Sequence, residues 1–214
     1  MRSLFSYLFP ITKKIKTENN GVVEVTFNNG KKILDSANAN YSYGSQQRIL
    51  NFALKKIDFS RVSNVLLLGL GGGSVVASLR KDFDYKGKIT AVEFDNKIID
   101  IALHEFGMDQ DKNLEIVNAD ALEYVKIGDQ MFNLIIVDLY IDNIVPAIFY
   151  SISFWKDLKK HLKTKKYFIF NACIYNENSD KQMSDLLNYM RISNTIQLFN
   201  KVEDTNTVII GTKN

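Results

Sequence analysis

The 214-residue chain has a single cysteine, Cys173, two prolines, Pro10 and Pro146, and two histidines, His104 and His161. One thiol cannot close an internal disulfide, which points to a reducing, cytoplasmic setting. Cys173 falls in an apolar stretch and reads as core. Neither histidine has a Cys or His partner at ligand spacing, so no metal site is expected. Both fall in predicted helices, where solvated or partly buried positions suit them. Long apolar runs are missing as well. Val65–Leu68 and Leu134–Val137 are far shorter than the ~20 residues a membrane span needs, so no membrane partner is expected. The first ten residues hold one basic residue and no small-residue cleavage site, and they read as a docked turn rather than a signal peptide. Nor is there an excess of one charge. Lys and Arg number 27 against 24 Asp and Glu, a net +3, which gives no electrostatic footprint for a nucleic-acid partner. What is present is ordinary: 46% apolar and 24% charged residues, enough to bury one core without disulfides or metals.

Along the chain, residues 22–34 form two strand-like segments around Asn28-Asn29-Gly30. Asn-Gly supplies the positive φ angles of a tight hairpin turn. Residues 35–48 are polar, without a clear period, and lead into a helix through Ile49, Leu50, Phe52, Ala53, Leu54 and Ile57. From residue 64 strands and helices alternate. Val65–Leu68 is continuously apolar, as a strand buried on both faces should be. Helices are predicted at 74–83, 96–106, 120–126, 147–162 and 179–192, and strands at 89–94, 114–118, 133–138 and 167–173. Trp155, with Phe154 and Leu158, reads as helix packing on the sheet. Two β-rich runs, 195–200 and 207–212, close the chain as an antiparallel hairpin. The six lysines within 156–166 read as a solvated face. Right-handed crossovers then give an α/β, doubly wound, mostly parallel seven-stranded sheet with a short N-terminal β-hairpin. The division is residues 1–45 as β appendage and linker, and 46–214 as the Rossmann-like domain.

The most informative stretch is Val65-Leu-Leu-Leu-Gly69-Leu-Gly71-Gly72-Gly73-Ser74, in which a buried strand runs through four glycines into a helix. Glycines turn sharply and let a ligand approach the backbone where a Cβ would collide. The following helix N-terminus offers unpaired N–H groups. A flexible turn is the plainer reading of such a loop. Its place at a strand end of a doubly wound sheet favours a ligand crevice. Glu93 ends the next strand, about 20 residues on, where a carboxylate can accept both hydroxyls of a ribose. Asp95 suits the N-cap of the next helix. A nucleoside-containing cofactor follows, without saying which. Ser74 stands where a dinucleotide fingerprint wants its third glycine.

The glycines at 69, 71 and 73 resemble motif I of class I S-adenosylmethionine-dependent methyltransferases. In that resemblance Gly69, Gly71, Gly72 and Gly73 form the cofactor loop and Glu93 is the ribose-binding acid. Asn118-Ala-Asp120-Ala121 is the adenine-contacting segment, and Asp138 is the acid ending the fourth strand. Asp120 also has the spacing of a helix cap, with Glu123 three positions on. Within the superfamily, Val92-Glu-Phe-Asp95 and Phe132-Asn-Leu-Ile-Ile-Val-Asp138-Leu-Tyr-Ile-Asp142 resemble spermidine synthases. The likeness covers about residues 22–174 and is firmest over 64–140.

That resemblance implies a transferase using S-adenosylmethionine, or its decarboxylated form, on a small-molecule partner such as an amine. Asp138 would bind the nucleophile and take its proton, assisted by Asp142, with Tyr140 as part of the substrate wall. Tyr43, Gln46 and Gln47 would line the substrate entrance, although a polar surface loop explains them equally. Three features depart from spermidine synthases, the first a shortened N-terminal region that removes part of the polyamine site. Gly72 replaces the loop aspartate that holds the amine of the decarboxylated cofactor, and Asp138 and Asp142 stand one residue further apart. Methyl transfer is therefore the leading expectation. Aminopropyl transfer is the alternative, and a non-catalytic nucleoside-binding module a third reading. The N-terminal hairpin offers an edge for a homodimer.

Overall fold

The computed structural model describes residues 9–36, 40–142, 144–172 and 177–214. Cys173 and most of the docked turn expected at 1–10 lie outside them. The predicted hairpin is present as strands β2 (Val22–Asn28) and β3 (Lys31–Asp35), turned by Asn29 and Gly30 at φ 49° and 74°. It is the centre of a larger unit. β1 (Ile11–Lys16) and β4 (Asn40–Ser42) flank it, giving a four-stranded sheet in sequential order. β1 escaped sequence reading because Ile11-Thr-Lys-Lys-Ile-Lys16 is almost wholly exposed and so has no apolar period. It pairs with β2 throughout, from Ile11 opposite Phe27 to Lys16 opposite Val22.

The main sheet comprises β5 (Asn64–Leu68), β6 (Lys88–Glu93), β7 (Leu114–Asn118), β8 (Phe132–Val137), β9 (Leu162–Ala172), β10 (Asn194–Val202) and β11 (Asn206–Lys213). Its order is β10-β11-β9-β8-β5-β6-β7, with β11 antiparallel to both neighbours and the rest parallel. β5 and β8 sit at the centre, buried on both faces, which is why both read as unbroken apolar runs. The helices are α1 (Ser45–Leu54), α2 (Ser74–Lys81), α3 (Asn96–Phe106), α4 (Ala121–Ile127), α5 (Ile152–Lys160) and α6 (Glu177–Arg191).

The predicted helix at 147–162 is divided. Residues Ala147–Tyr150 make one 3-10 turn after Pro146, and Ser151 then caps α5 by accepting from the Phe154 N–H. β9 begins at Leu162, five residues before the predicted start. The register slips between Phe132–Leu162 and Leu134–Tyr167, and Lys165 takes a left-handed φ of 59° to absorb the excess chain. His161, expected to be solvated or partly buried, is fully buried at the C-terminal end of α5. Its two ring nitrogens lie 2.8 and 2.9 Å from the carbonyl oxygens of Gln130 and Val125.

Apolar clusters cover both faces of the main sheet. One holds Trp155, Phe154 and Leu158 of α5 against Phe168 and Phe170; the other holds α1 and α2 against Val65, Leu67 and Ile169. A third joins Val23, Val25 and Leu34 of the N-terminal sheet to Ile98 and Ile101 of α3. Lys13 and Lys32 extend this contact by reaching Glu105, at 2.8 and 3.0 Å. The N-terminal sheet is thereby fixed beside the carboxyl ends of β5, β6 and β8.

Candidate active site

Those three strand ends surround one cleft. The chain leaves β5 with Gly69 N–H donating to the Val92 carbonyl and Asp138 N–H donating to the Leu68 carbonyl, each at 2.9 Å. Gly69 has φ +92°, and a Cβ there would lie 2.1 Å from the Asp138 carbonyl oxygen. No other residue fits. Beyond it the loop divides. Gly69, Leu70, Gly71 and Ser74 face the cleft. Gly72 and Gly73 point away, where a Cβ would meet Ser42 and Phe106, or the Met108 thioether. Ser42 Oγ, from β4, accepts from the Ser74 N–H at the start of α2, at 3.3 Å.

Glu93 forms the opposite wall and is 5% exposed. Its Oε2 accepts from the N–H groups of Leu70 and Gly71, and its Oε1 from those of Phe94 and Asp95, at 3.0 to 3.3 Å. Burial raises its pKa, and the four backbone donors oppose that rise. The carboxylate expected to meet a ribose thus also holds the glycine loop in shape. Asp95 is fully buried and caps α3 through the N–H groups of Lys97 and Ile98. It also accepts from the backbone of Asn19 and the side chain of Asn20, at 2.8 and 3.0 Å. Burial works against its charge, but these donors outweigh it and hold the carboxyl below its usual range.

Asp138 follows β8 on the cleft floor. Burial pushes its pKa up to about 6, against a hydrogen bond from Asn171 Nδ2 to Oδ1 at 2.9 Å. Asn171, on β9, also donates to Gln46 Oε1 at 3.3 Å, and its own Oδ1 accepts from Asn206 Nδ2 at 2.9 Å. Asn206, which opens β11, donates to the Tyr140 hydroxyl at 2.9 Å as well. Asp142 lies in the next turn at φ +55°, and Ser36 Oγ donates to it at 2.6 Å.

The N-terminal sheet closes the cleft with Asn40, Tyr41 and Ser42. The Tyr41 hydroxyl donates to Asn20 Oδ1 at 2.8 Å, and burial followed by the fields of Glu93, Asp95, Asp138 and Asp142 raises its pKa well above normal. Of the three predicted entrance residues, Gln46 lines the cleft. Tyr43 instead stacks on Phe106 at 4.8 Å, and Gln47 donates to Ser78 Oγ at 2.9 Å. Asp120 caps α4 through the N–H groups of Leu122 and Glu123. With Ala121 it edges an adjoining apolar chamber lined by Phe94, Leu139, Ile141, Pro146 and Phe149. Asn171 and Asn206 escaped sequence reading. Single polar residues on short or terminal strands carry no motif, and only strand order brings them together.

The described lining of the cleft includes the acids Glu93, Asp138 and Asp142 and no Lys, Arg or His. Residues 44–200, which hold the glycine loop, Glu93, Asp138 and Asn171 but neither the N-terminal sheet nor Asn206, match the spermine/spermidine synthase domain family. The chain belongs to that family. Among curated relatives, it is 33% identical over 121 residues to polyamine aminopropyltransferase 2 of Aquifex aeolicus, covering 52% of this chain and 24% of that one. It is 34% identical over 119 residues to the polyamine aminopropyltransferase of Prochlorococcus marinus, covering 53% and 41%. It is also 32% identical over 80 residues to the eEF1A lysine and N-terminal methyltransferase of Danio rerio, covering 36% and 11%. The matched regions thus span less than half the length of these relatives.

Solved structures share the architecture of this spermine/spermidine synthase-type domain. A probable spermidine synthase from Corynebacterium glutamicum superposes with a TM-score of 0.70 at 15% identity, covering 94% of this chain and 80% of that one. Human methyltransferase-like protein 13 in complex with SAH superposes with a TM-score of 0.65 at 21% identity, covering 79% and 82%. The seven-stranded sheet with its antiparallel β11 is therefore the expected Rossmann-like fold. Family match and fold together place the chain in the methyltransferase-like superfamily, close to the spermidine synthases. Among the described residues no helix is long and apolar enough to cross a membrane.

Proposed function

We propose that this protein transfers a methyl group from S-adenosylmethionine to an amine nitrogen of a small molecule. The observation that carries the reading is the described lining of the cleft, whose charged side chains are Glu93, Asp138 and Asp142 alone, with Asp138 at its floor. A sulfonium and an amine are both cations or become so, and such a lining attracts both. The relatives named above are called polyamine aminopropyltransferases or lysine and N-terminal methyltransferases, names that share an amine acceptor. When bound, the sulfonium supplies the electrophilic carbon and the thioether leaving group.

The chain's own residues supply the rest. Glu93 holds the loop and offers its carboxylate toward a ribose; Phe94, Ala121 and Leu139 offer apolar surface to a purine. Asp138 orients the amine and accepts one N–H proton as the new N–C bond forms, while the S–C pair leaves with sulfur. A carboxyl titrating near 6 is ionised at neutral pH yet basic enough to take that proton. Gln46 and Tyr41 crowd the entrance and limit water.

Methyl rather than aminopropyl transfer is supported by Gly72. At that position, where the resemblance places the loop aspartate, a Cβ would meet Ser42 and Phe106, and the glycine loop offers no carboxylate to an aminopropyl ammonium. The second reading, aminopropyl transfer from the decarboxylated cofactor, also has an observation behind it. That donor carries one more net positive charge, and the described lining has no basic group to pair with the carboxylate of S-adenosylmethionine. Calorimetry with both donors separates the two readings. A preference for S-adenosylmethionine, with methylated amine detected by mass spectrometry, supports the first. A preference for the decarboxylated donor replaces it with the second, and binding of neither overturns both. At about 100 times its Kd, a bound donor should add roughly 2.7 kcal/mol of stability.

A further inference from the structure

The hydrogen bonds behind Asp138 run in one direction. Asn206 Nδ2 gives its two protons to Asn171 Oδ1 and the Tyr140 hydroxyl, both at 2.9 Å. Asn171 Nδ2 then gives its own two to Asp138 Oδ1 at 2.9 Å and Gln46 Oε1 at 3.3 Å. The Tyr140 hydroxyl donates to the Asn171 main-chain carbonyl at 3.3 Å. Reversing the Asn171 amide would set its oxygen against the oxygens of Asp138 and Gln46, and its NH2 against that of Asn206. Three bonds would become three repulsions, so one orientation is selected. Asn171 is fully buried and Asn206 is 6% exposed, where an unmatched polar group costs most.

We propose that Asn206 and Asn171 form a one-way relay that positions Asp138 as a proton acceptor, with Oδ1 occupied and Oδ2 the atom that takes the substrate proton. An amide NH2 can only donate, so it favours the ionised carboxylate and never supports a protonated Oδ1. The proton leaves the amine nitrogen for Oδ2 and goes on to solvent. Asn206 does not touch Asp138 and acts by fixing which end of Asn171 faces it. Both asparagines are positioning residues. They stand on β9 and β11, strands paired antiparallel with Ala172 opposite Thr207, so the terminal hairpin sets the state of the site's base. The other ionisable groups around Asp138 are Tyr41 from β4, Glu93 from β6, and Tyr140 and Asp142 from its own turn. No described Lys, Arg or His lines the cleft with them.

The proposal rests on the role of Asp138 given above, but its test needs no turnover. Carboxyl carbons of aspartate-labelled protein are titrated by NMR without ligand, and the Asp138 signal is assigned by its loss in Asp138→Asn. Asn171→Leu should raise the Asp138 midpoint by about one pH unit, the worth of one hydrogen bond to a charged group. Asn206→Leu should raise it too, by less, and should add nothing in the Asn171→Leu background. A fixed midpoint in Asn206→Leu, or additive shifts in the double variant, overturns the relay and leaves a structural tie between two strands. If Asn206→Leu melts before titration, Asn206→Ala carries the same expectation. Donor calorimetry on the same variants keeps the two ideas apart. Intact binding with an unmoved midpoint sinks the relay alone, whereas a shifted midpoint with no donor binding in the wild type sinks the transferase reading alone.

Discussion

Gly69 and Asp138 touch through their backbones: a Cβ on Gly69 would lie 2.1 Å from the Asp138 carbonyl oxygen. The first glycine of the loop therefore sets the distance between the glycine loop and Asp138. With φ +92°, the position combines a steric demand with a conformational one. Gly69→Ala should lose about 2–4 kcal/mol of stability by urea titration, from strain and from a backbone clash that no rotamer relieves. Donor binding should fall with it. A stable variant that binds normally would show that β8 can retreat, and that the loop geometry is not set by this contact.

Asp138→Asn separates binding from chemistry. The side chain keeps its size, but no proton can be taken up. Turnover should fall about 10²–10⁴-fold, while the donor Kd measured by calorimetry changes little. Unchanged turnover would remove Asp138 from the mechanism.

The same carboxyl predicts two pH effects of opposite sign. Burial takes it from 3.8 to about 6, so the folded protein holds its proton more tightly than the unfolded chain. That stabilisation is complete below about pH 4 and is lost as pH rises through about 6. Activity should move the other way, rising through about 6 as the base ionises. Asp138→Asn should consequently be more stable than wild type at pH 8, by on the order of 2 kcal/mol, with the advantage gone near pH 4. Paired urea titrations at the two pH values check this, and equal differences at both would show that the carboxyl pays no burial cost.

Asp95 joins the N-terminal sheet region to the core. It caps α3 and accepts from Asn19 and Asn20 while fully buried. Asp95→Ala should lose about 2–4 kcal/mol, one cap plus the charge-assisted hydrogen bonds from Asn19 and Asn20. Hydrogen exchange should rise at Asn19 and Asn20, and also in β4, because Asn20 accepts the Tyr41 hydroxyl. Exchange confined to α3 would mean that only the cap was lost.

Sequence alone determined the parts of this protein that depend on local chemistry. A strand buried on both faces needs an apolar run, so Val65–Leu68 and Leu134–Val137 declared themselves. A loop squeezed against another backbone needs glycine, and helix starts need acceptors such as Asp95 and Asp120. Spacing along one chain carries such features, which made the glycine loop, Glu93 and Asp138 legible as neighbours around one cleft. Tertiary structure decided what spacing cannot carry. β1 has no apolar period and exists because β2 offers it a full edge. Tyr43 and Gln47 sit beside Gln46 in sequence but turn to Phe106 and Ser78 instead of the cleft. Asn171 and Asn206 stand 35 residues apart, and only the antiparallel pairing of β9 with β11 sets them behind Asp138. Polar contacts of that kind depend on ångström distances across strands, and no periodicity in the chain encodes them.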